Sequence, residues 1–395
     1  MKLAERMGRL GTETAFEVLA KANRLAAEGR SIINLGIGQP DFQTPENIVE
    51  AAWKALADGH HGYTPANGIQ PLREAVAADI AKYRGVEIDP ANVVVVPGGK
   101  VTMFFAALMF GEEGAEILYP NPGFPIYQSA IEFSGATAVP IPLYEKTGFS
   151  FSAEEVLSKI TPRTRLIMLN SPANPTGGVT PKAEFDRLVE GLEAHPGVAI
   201  MSDEIYSRLL YDGQEHISLL SYPSIRDRLI LLDGWSKTYA MTGWRIGWMI
   251  GPDDLIRAAG NLQSHGTSNV SNVSQRAALA AVSGDLTDVA DMRASFDRRR
   301  RRMVEMLRAI DGVDLLTPQG AFYAFPDLTA FLGRKVGGRV ATTTSELATI
   351  ILEEANVAIV PGEAFGAPGY ARLSFALGDD DLGEGLMRIG ELLTG

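Results

Sequence analysis

The stretch Val93-Val-Val-Val-Pro-Gly-Gly-Lys-Val-Thr-Met-Phe-Phe-Ala-Ala-Leu108 changes its periodicity in mid-course. Four β-branched residues, Val93–Val96, are apolar at both parities, as a strand covered on both faces must be. Pro97–Gly98–Gly99 breaks the run, and an apolar helical segment follows around Met103–Leu108. Strand, turn and helix in that order are the repeating unit of an α/β domain. Similar short runs stand at Leu166–Leu169, Val198–Met201 and Leu229–Leu232, with helical text between them such as Glu184–Leu192. The pattern predicts a large domain built on a mostly parallel sheet between helices.

Upstream, Thr44–Pro45–Glu46 reads as a helix start, with Thr as N-cap and Pro in the first turn. Ile48, Ala52, Ala55 and Leu56 follow at helical spacing, and Gly59 reads as the stop. From about residue 285 the text changes: Met292, Phe296, Met303, Leu307 and Ile310 mark a long helix, and a second helix follows at Glu346–Glu354. This predicts a smaller α+β domain completed by the N-terminal residues. The expected boundaries are 46–290 for the large domain and 1–45 with 291–395 for the small one. Arg298–Arg302 lies beside Asp297 and Glu305 with no interleaved aromatics, and reads as a solvated helix face.

The chain has 395 residues, 36 basic against 48 acidic, for a formal charge of −12. That sign opposes nucleic acid or an anionic membrane as partner, since both repel a net anion. The absence of cysteine removes disulfides, thiolate ligands and thiol nucleophiles together. Five scattered histidines with no H-x-x-x-H pair predict no metal. The start, MKLAERMGRLGTETAFEVLAK, has no apolar leader core, and no run reaches the ~18 residues of a membrane span. A soluble cytoplasmic protein is expected.

The unusual polar residues fall just past the strand ends, where open α/β sheets hold ligands. Gly98, Gly99 and Lys100 stand at a helix start, which suits a phosphate or merely caps the helix. Asn174 sits in the stiff loop Asn170-Ser-Pro-Ala-Asn-Pro-Thr-Gly177, either held for a ligand or closing its own turn. Asp203 ends a strand, either as a partly buried carboxylate or as a helix N-cap. Lys237 opens Lys237-Thr-Tyr-Ala-Met-Thr-Gly-Trp-Arg245, a lysine placed to become a nucleophile with an arginine fork suited to phosphate.

With Asn34-Leu-Gly-Ile-Gly-Gln-Pro-Asp-Phe42, Tyr63-Thr-Pro-Ala-Asn-Gly68, Gly320-Ala-Phe-Tyr323, Val360-Pro-Gly-Glu-Ala-Phe-Gly366 and Arg372-Leu-Ser-Phe375, these elements resemble the fold-type I pyridoxal-phosphate enzymes of the aspartate aminotransferase type, in order over almost the whole chain. The resemblance implies a seven-stranded, mostly parallel sheet and pyridoxal 5′-phosphate held by Lys237 as a Schiff base. It implies that Asp203 pairs with the pyridinium nitrogen, that Asn174 and Tyr206 bond the ring's phenolic oxygen, and that Phe124 stacks on the ring. Gly98, Gly99, Lys100, Ser236 and Arg245 would surround the phosphate. Tyr63 would reach the phosphate of a neighbouring subunit, implying a homodimer with shared sites. Arg372 would clamp the substrate α-carboxylate, helped by Gly38 and Asn174.

Two positions depart from many relatives: Gly234 stands where some have serine, and Val270 where many have proline. The implied reaction moves an amino group from an L-amino acid to a 2-oxo acid. A C–S β-lyase or an aminocyclopropane-carboxylate-synthase-like ring closure is the alternative on the same scaffold. A regulator carrying this domain beside a DNA-binding one is disfavoured by the charge. A nicotinamide dehydrogenase would rest on Gly36-Ile-Gly38, where Asp41 interrupts the dinucleotide pattern.

Overall fold

In the computed structural model, which describes residues 1–10 and 14–395, the runs read as strands line up side by side. They are β1 (Val93–Val96), β2 (Glu116–Asn121), β3 (Thr137–Pro142), β4 (Thr164–Asn170), β5 (Ala199–Asp203), β6 (Leu229–Gly234) and β7 (Gly247–Ile250). Seven strands form one sheet in the order β1-β7-β6-β5-β4-β2-β3. All run parallel except β7, which is antiparallel to both neighbours, so the mostly parallel sheet expected from sequence is present.

The two-sided apolar runs have a direct physical reason. Side chains alternate across a strand, and here each parity enters its own core. Val93, Val95, Ile167, Leu169, Ile200, Leu229 and Leu231 pack into one cluster. Val94, Val96, Leu166, Met168, Met201, Ile230 and Leu232 pack into another on the opposite face. Helix α1 (Lys100–Phe110) belongs to the second of these layers, through Met103, Phe105, Ala106 and Ala107.

A further cluster gathers Ile33 and Leu35 with Met292, Phe296, Met303, Leu307 and Ile310, four of them from the long helix α2 (Thr287–Arg308). The strand Ile33–Asn34 pairs in parallel with Val357–Ala358, tying N-terminal to C-terminal text. Tyr206, Phe322 and Tyr323 belong to the same cluster, which thus reaches the edge of the large sheet. Among the described residues no helix is long and apolar enough to cross a membrane.

Two local expectations are corrected. The helix Glu46–Ala57 forms, but Thr44 does not cap it; Pro45 takes the cap position without a side-chain bond. The Thr44 hydroxyl instead donates to the Ala240 carbonyl (2.8 Å) and accepts from Trp244 Nε1 (3.0 Å), beside the Lys237 segment. The arginine run is not a uniformly solvated face. Arg299 is buried, bidentate to Asp41 and stacked on Phe42 at 5.0 Å. Arg300 is buried between Asp297, Asp212 and the Pro318 carbonyl, with Tyr211 against its guanidinium.

A buried charge that loses its partners is costly, whereas an exposed one is not. Arg300→Ala is therefore expected to cost about 3 kcal/mol in denaturant unfolding, and Arg301→Ala, at the exposed side, less than about 0.5 kcal/mol. Equal shifts in the two midpoints would refute this division of the run.

Candidate active site

The sheet register brings the polar loops to one edge. Gly247 of β7 pairs with Val96 of β1 on one side and Gly234 of β6 on the other. Pro97–Gly99 and Trp235–Lys237 therefore leave the sheet at the same level, with Arg245 just before Gly247. Gly98 is left-handed at φ +89°, and a β-carbon there would lie 3.0 Å from Arg245 Cζ and closer still to Nη2. Only glycine lets the guanidinium rest on this turn. Helix α1 starts one residue after Gly99, with the Val101 and Thr102 N–H groups donating to the Gly98 and Gly99 carbonyls of the turn.

Further along the edge, Asn170 of β4 pairs with Asp203 of β5. The Asn170 side chain fastens the loop beyond it: its amide donates to the Asp203 carbonyl, and its oxygen accepts from the Asn174 N–H. Asn170 thus closes the turn, and the Asn174 side chain is free for other work. Asn174 Oδ1 accepts from Arg372 Nη1 at 2.9 Å.

Arg372 is buried; its Nη2 donates to the Gly36 carbonyl at 2.8 Å, and Tyr323 and Phe365 cover it at 4.4 and 4.9 Å. Its Nε is buried with no hydrogen-bond partner. Gly38 lies close by: a β-carbon there would be 3.2 Å from the Tyr323 hydroxyl.

Asp203 is buried and begins no helix, so the N-cap alternative falls. Its Oδ2 accepts from the Tyr127 hydroxyl at 2.7 Å and its Oδ1 from the Ile205 N–H. Burial is the main cause that lifts its pKa to about 7. Tyr127 and Ile205 oppose that lift, and the neighbouring Asp233 and Glu204 add to it. Such a carboxylate favours a positive partner.

Lys237 is half-buried, and its ammonium donates to the Gly38 carbonyl. Burial first, then Arg372, Arg245 and Lys100, bring its pKa down to about 7, against the pull of Asp203. An amine in this state is a nucleophile and base at neutral pH.

The match to the family model of aminotransferase class I and II spans residues 30–389. The chain belongs to this family. It is a pyridoxal-phosphate-dependent aminotransferase, an enzyme of amino-group transfer. It is 46% identical to the aspartate aminotransferase of Streptomyces avermitilis, over 100% of this chain and 97% of that one. It is 39% identical to that of Geobacillus stearothermophilus, over 98% of both chains. The aspartate aminotransferase of Rhizobium meliloti superposes with a TM-score of 0.95 at 35% identity, covering 100% and 99% of the two chains. That of Thermus thermophilus with maleate gives 0.91 at 34% identity, covering 100% of both.

Three features of this aminotransferase fit its cofactor. The helix start at Gly99 with Arg245 against it suits a phosphate dianion. Asp203 is a buried carboxylate wanting a positive partner, as a protonated ring nitrogen is. The Arg372 Nε, buried without a hydrogen-bond partner, suits a carboxylate, and the Lys237 amine, its pKa brought down to about 7, suits an aldehyde.

The structure thus gathers Gly38, Gly98, Gly99, Asn174, Asp203, Tyr206, Ser236, Lys237, Arg245 and Arg372 along one edge. Phe124 lies there too, with Lys100 Nζ 5.1 Å from its ring. Tyr63 stands apart, 92% exposed at the surface of the chain. Sequence reasoning missed Tyr127, although it lies only three residues after Phe124. It also missed the buried lattice behind the strands. There Arg84 bridges Glu204 (3.0 Å) and Asp233 (2.6 Å), and His216 meets Glu204 at 2.7 Å. Burial alone would raise Glu204, but His216 and Arg84 outweigh it and hold the carboxyl at about 2. No local pattern marks a lattice whose arginine lies more than a hundred residues from both its carboxylates.

Proposed function

We propose that this aminotransferase takes its amino group from aspartate, with Lys237 as both the cofactor's covalent anchor and the proton-moving amine. The observation that carries this is the set of cations around Lys237: Arg372, Arg245 and Lys100 against the lone carboxylate Asp203. A phosphate and a substrate carboxylate are the anions that Arg245 and Arg372 suit. The names of the relatives support a dicarboxylate donor, as does maleate in the Thermus thermophilus structure.

Bound pyridoxal phosphate supplies an aldehyde that condenses with amines and a ring that accepts the electron pair left when Cα loses its proton. Arg245, Gly98, Gly99 and Ser236 hold the phosphate, and Lys100 opens the helix behind them. Asp203 keeps the ring nitrogen protonated, with Tyr127 fixing its carboxylate. Asn174 and Tyr206 bond the phenolic oxygen, and Phe124 covers the ring. Arg372 binds the α-carboxylate, pre-aimed by Asn174 and Gly36 and helped by the Gly38 backbone. Lys237 Nζ, with its pKa brought down to about 7, would take the proton from the donor Cα and pass it to the carbon that entered as the cofactor's aldehyde.

The division into 46–290 and 1–45 with 291–395 belongs to this proposal; the apolar clusters follow it in the main, with Phe325, Val360 and Phe365 crossing to the large-sheet cluster and Tyr206, Leu209 and Tyr211 to the other. So does a homodimer with shared sites. Tyr63 is almost wholly exposed, and Trp53 (69%) and Leu56 (48%) on the adjoining helix expose apolar surface of the kind a partner buries.

The deciding experiment offers single amino acids, without an oxo acid, to the pyridoxal form. Conversion to the pyridoxamine form by aspartate, with release of the matching oxo acid, is the expected result. Ammonia and pyruvate from a cysteine conjugate, with no such conversion, would favour the lyase.

A further inference from the structure

Tyr323 lies where the carboxylate clamp meets the cofactor end of the site, and nothing said so far gives it a task. It is fully buried, and its hydroxyl lies 2.9 Å from the Tyr206 hydroxyl. Its ring stacks on the Arg372 guanidinium at 4.4 Å, and its hydroxyl also abuts Gly38, whose carbonyl takes the Lys237 ammonium. The pair has two hydroxyl protons and two oxygens. If Tyr206 donates toward Tyr323, it has no proton left for the cofactor. If Tyr323 donates to Tyr206, the Tyr206 proton points outward, and a hydroxyl that accepts one bond donates the next more strongly.

We propose that Tyr323 is a positioning residue: it donates to Tyr206, aims the Tyr206 proton at the cofactor's phenolic oxygen, and ties that bond to the Arg372 clamp. The inference rests on the assignment of Tyr206 to that oxygen. A stronger bond to the oxygen favours its anionic form and lowers the proton affinity of the neighbouring nitrogen that joins Lys237 to the cofactor.

The test is a pH titration of the visible absorbance of the pyridoxal-phosphate-loaded enzyme, in a double-mutant cycle of Tyr206→Phe and Tyr323→Phe. Phenylalanine at 323 keeps the ring over Arg372, and denaturant unfolding checks that each variant is folded. Tyr323→Phe is expected to raise the titration midpoint by about 0.3 to 1 pH unit, a two- to tenfold gain in proton affinity. In the Tyr206→Phe background the same change should add nothing, because the path runs through Tyr206. A shift of equal size in both backgrounds, or no shift beside a clear one for Tyr206→Phe, overturns the role of Tyr323. An unmoved midpoint in Tyr206→Phe itself overturns the underlying assignment of Tyr206.

Discussion

Lys237→Ala is expected to lower the rate of amino transfer by roughly ten-thousandfold or more, the scale of losing a positioned acid–base group. Borohydride should then fix no cofactor to the protein, whereas in the native chain the label should map to the peptide holding residue 237. The pH dependence follows from the amine's pKa of about 7 in the folded protein. Capture of pyridoxal phosphate by the apoprotein should quicken as pH rises through that value, because only the unprotonated amine attacks. The stability sign is equally definite. Between about 7 and the ordinary 10.5 the unfolded lysine holds a proton that the folded one lacks, so this group makes the apoprotein more stable as pH rises. The alanine variant should lose that slope. A label on another lysine, or undiminished turnover, would refute the assignment.

Asp203→Asn is expected to cost roughly a thousandfold in kcat, about 4 kcal/mol, as when one partner of a buried charge pair is removed. Affinity for the cofactor should fall as well, measured by equilibrium dialysis or fluorescence. Asparagine keeps the shape and can still accept from Tyr127, losing only the 3.2 Å bond from the Ile205 N–H, so the fold should survive. Without cofactor the substitution should even remove a burden. The carboxyl holds its proton up to about 7 when folded but only to 3.8 when unfolded, so its contribution to stability falls as pH climbs through that window. Apoprotein unfolding midpoints for the native chain and the asparagine variant should diverge across that range, with the variant ahead at the alkaline end. A variant that retained full kcat would show that Asp203 has no part in the chemistry.

The strands were legible because each is buried on both faces, so Val93–Val96 and Leu229–Leu232 announce themselves whatever lies beside them. The Lys237 to Arg245 segment stood out because a lysine and an arginine in Gly- and aromatic-rich text just past a strand end are unusual for a solvated surface. Capping and solvation were less so. Thr44 suits an N-cap by local propensity, yet the Ala240 carbonyl and the Trp244 indole compete for its hydroxyl from two hundred residues away. Arg299 and Arg300 look like solvated charge until Asp41, Asp212 and Asp379 are brought to them.

What the sequence by itself determined is the alternation of strand and helix, the sheet and the family, all properties of short segments and their order. What only the tertiary structure decided is which polar groups meet: Tyr127 with Asp203, Tyr323 with Tyr206, Arg84 with Glu204 and Asp233, Asn174 with Arg372. The physical reason is that a buried polar atom must find a partner somewhere, but chain-local chemistry does not specify where. The register of the sheet edge does.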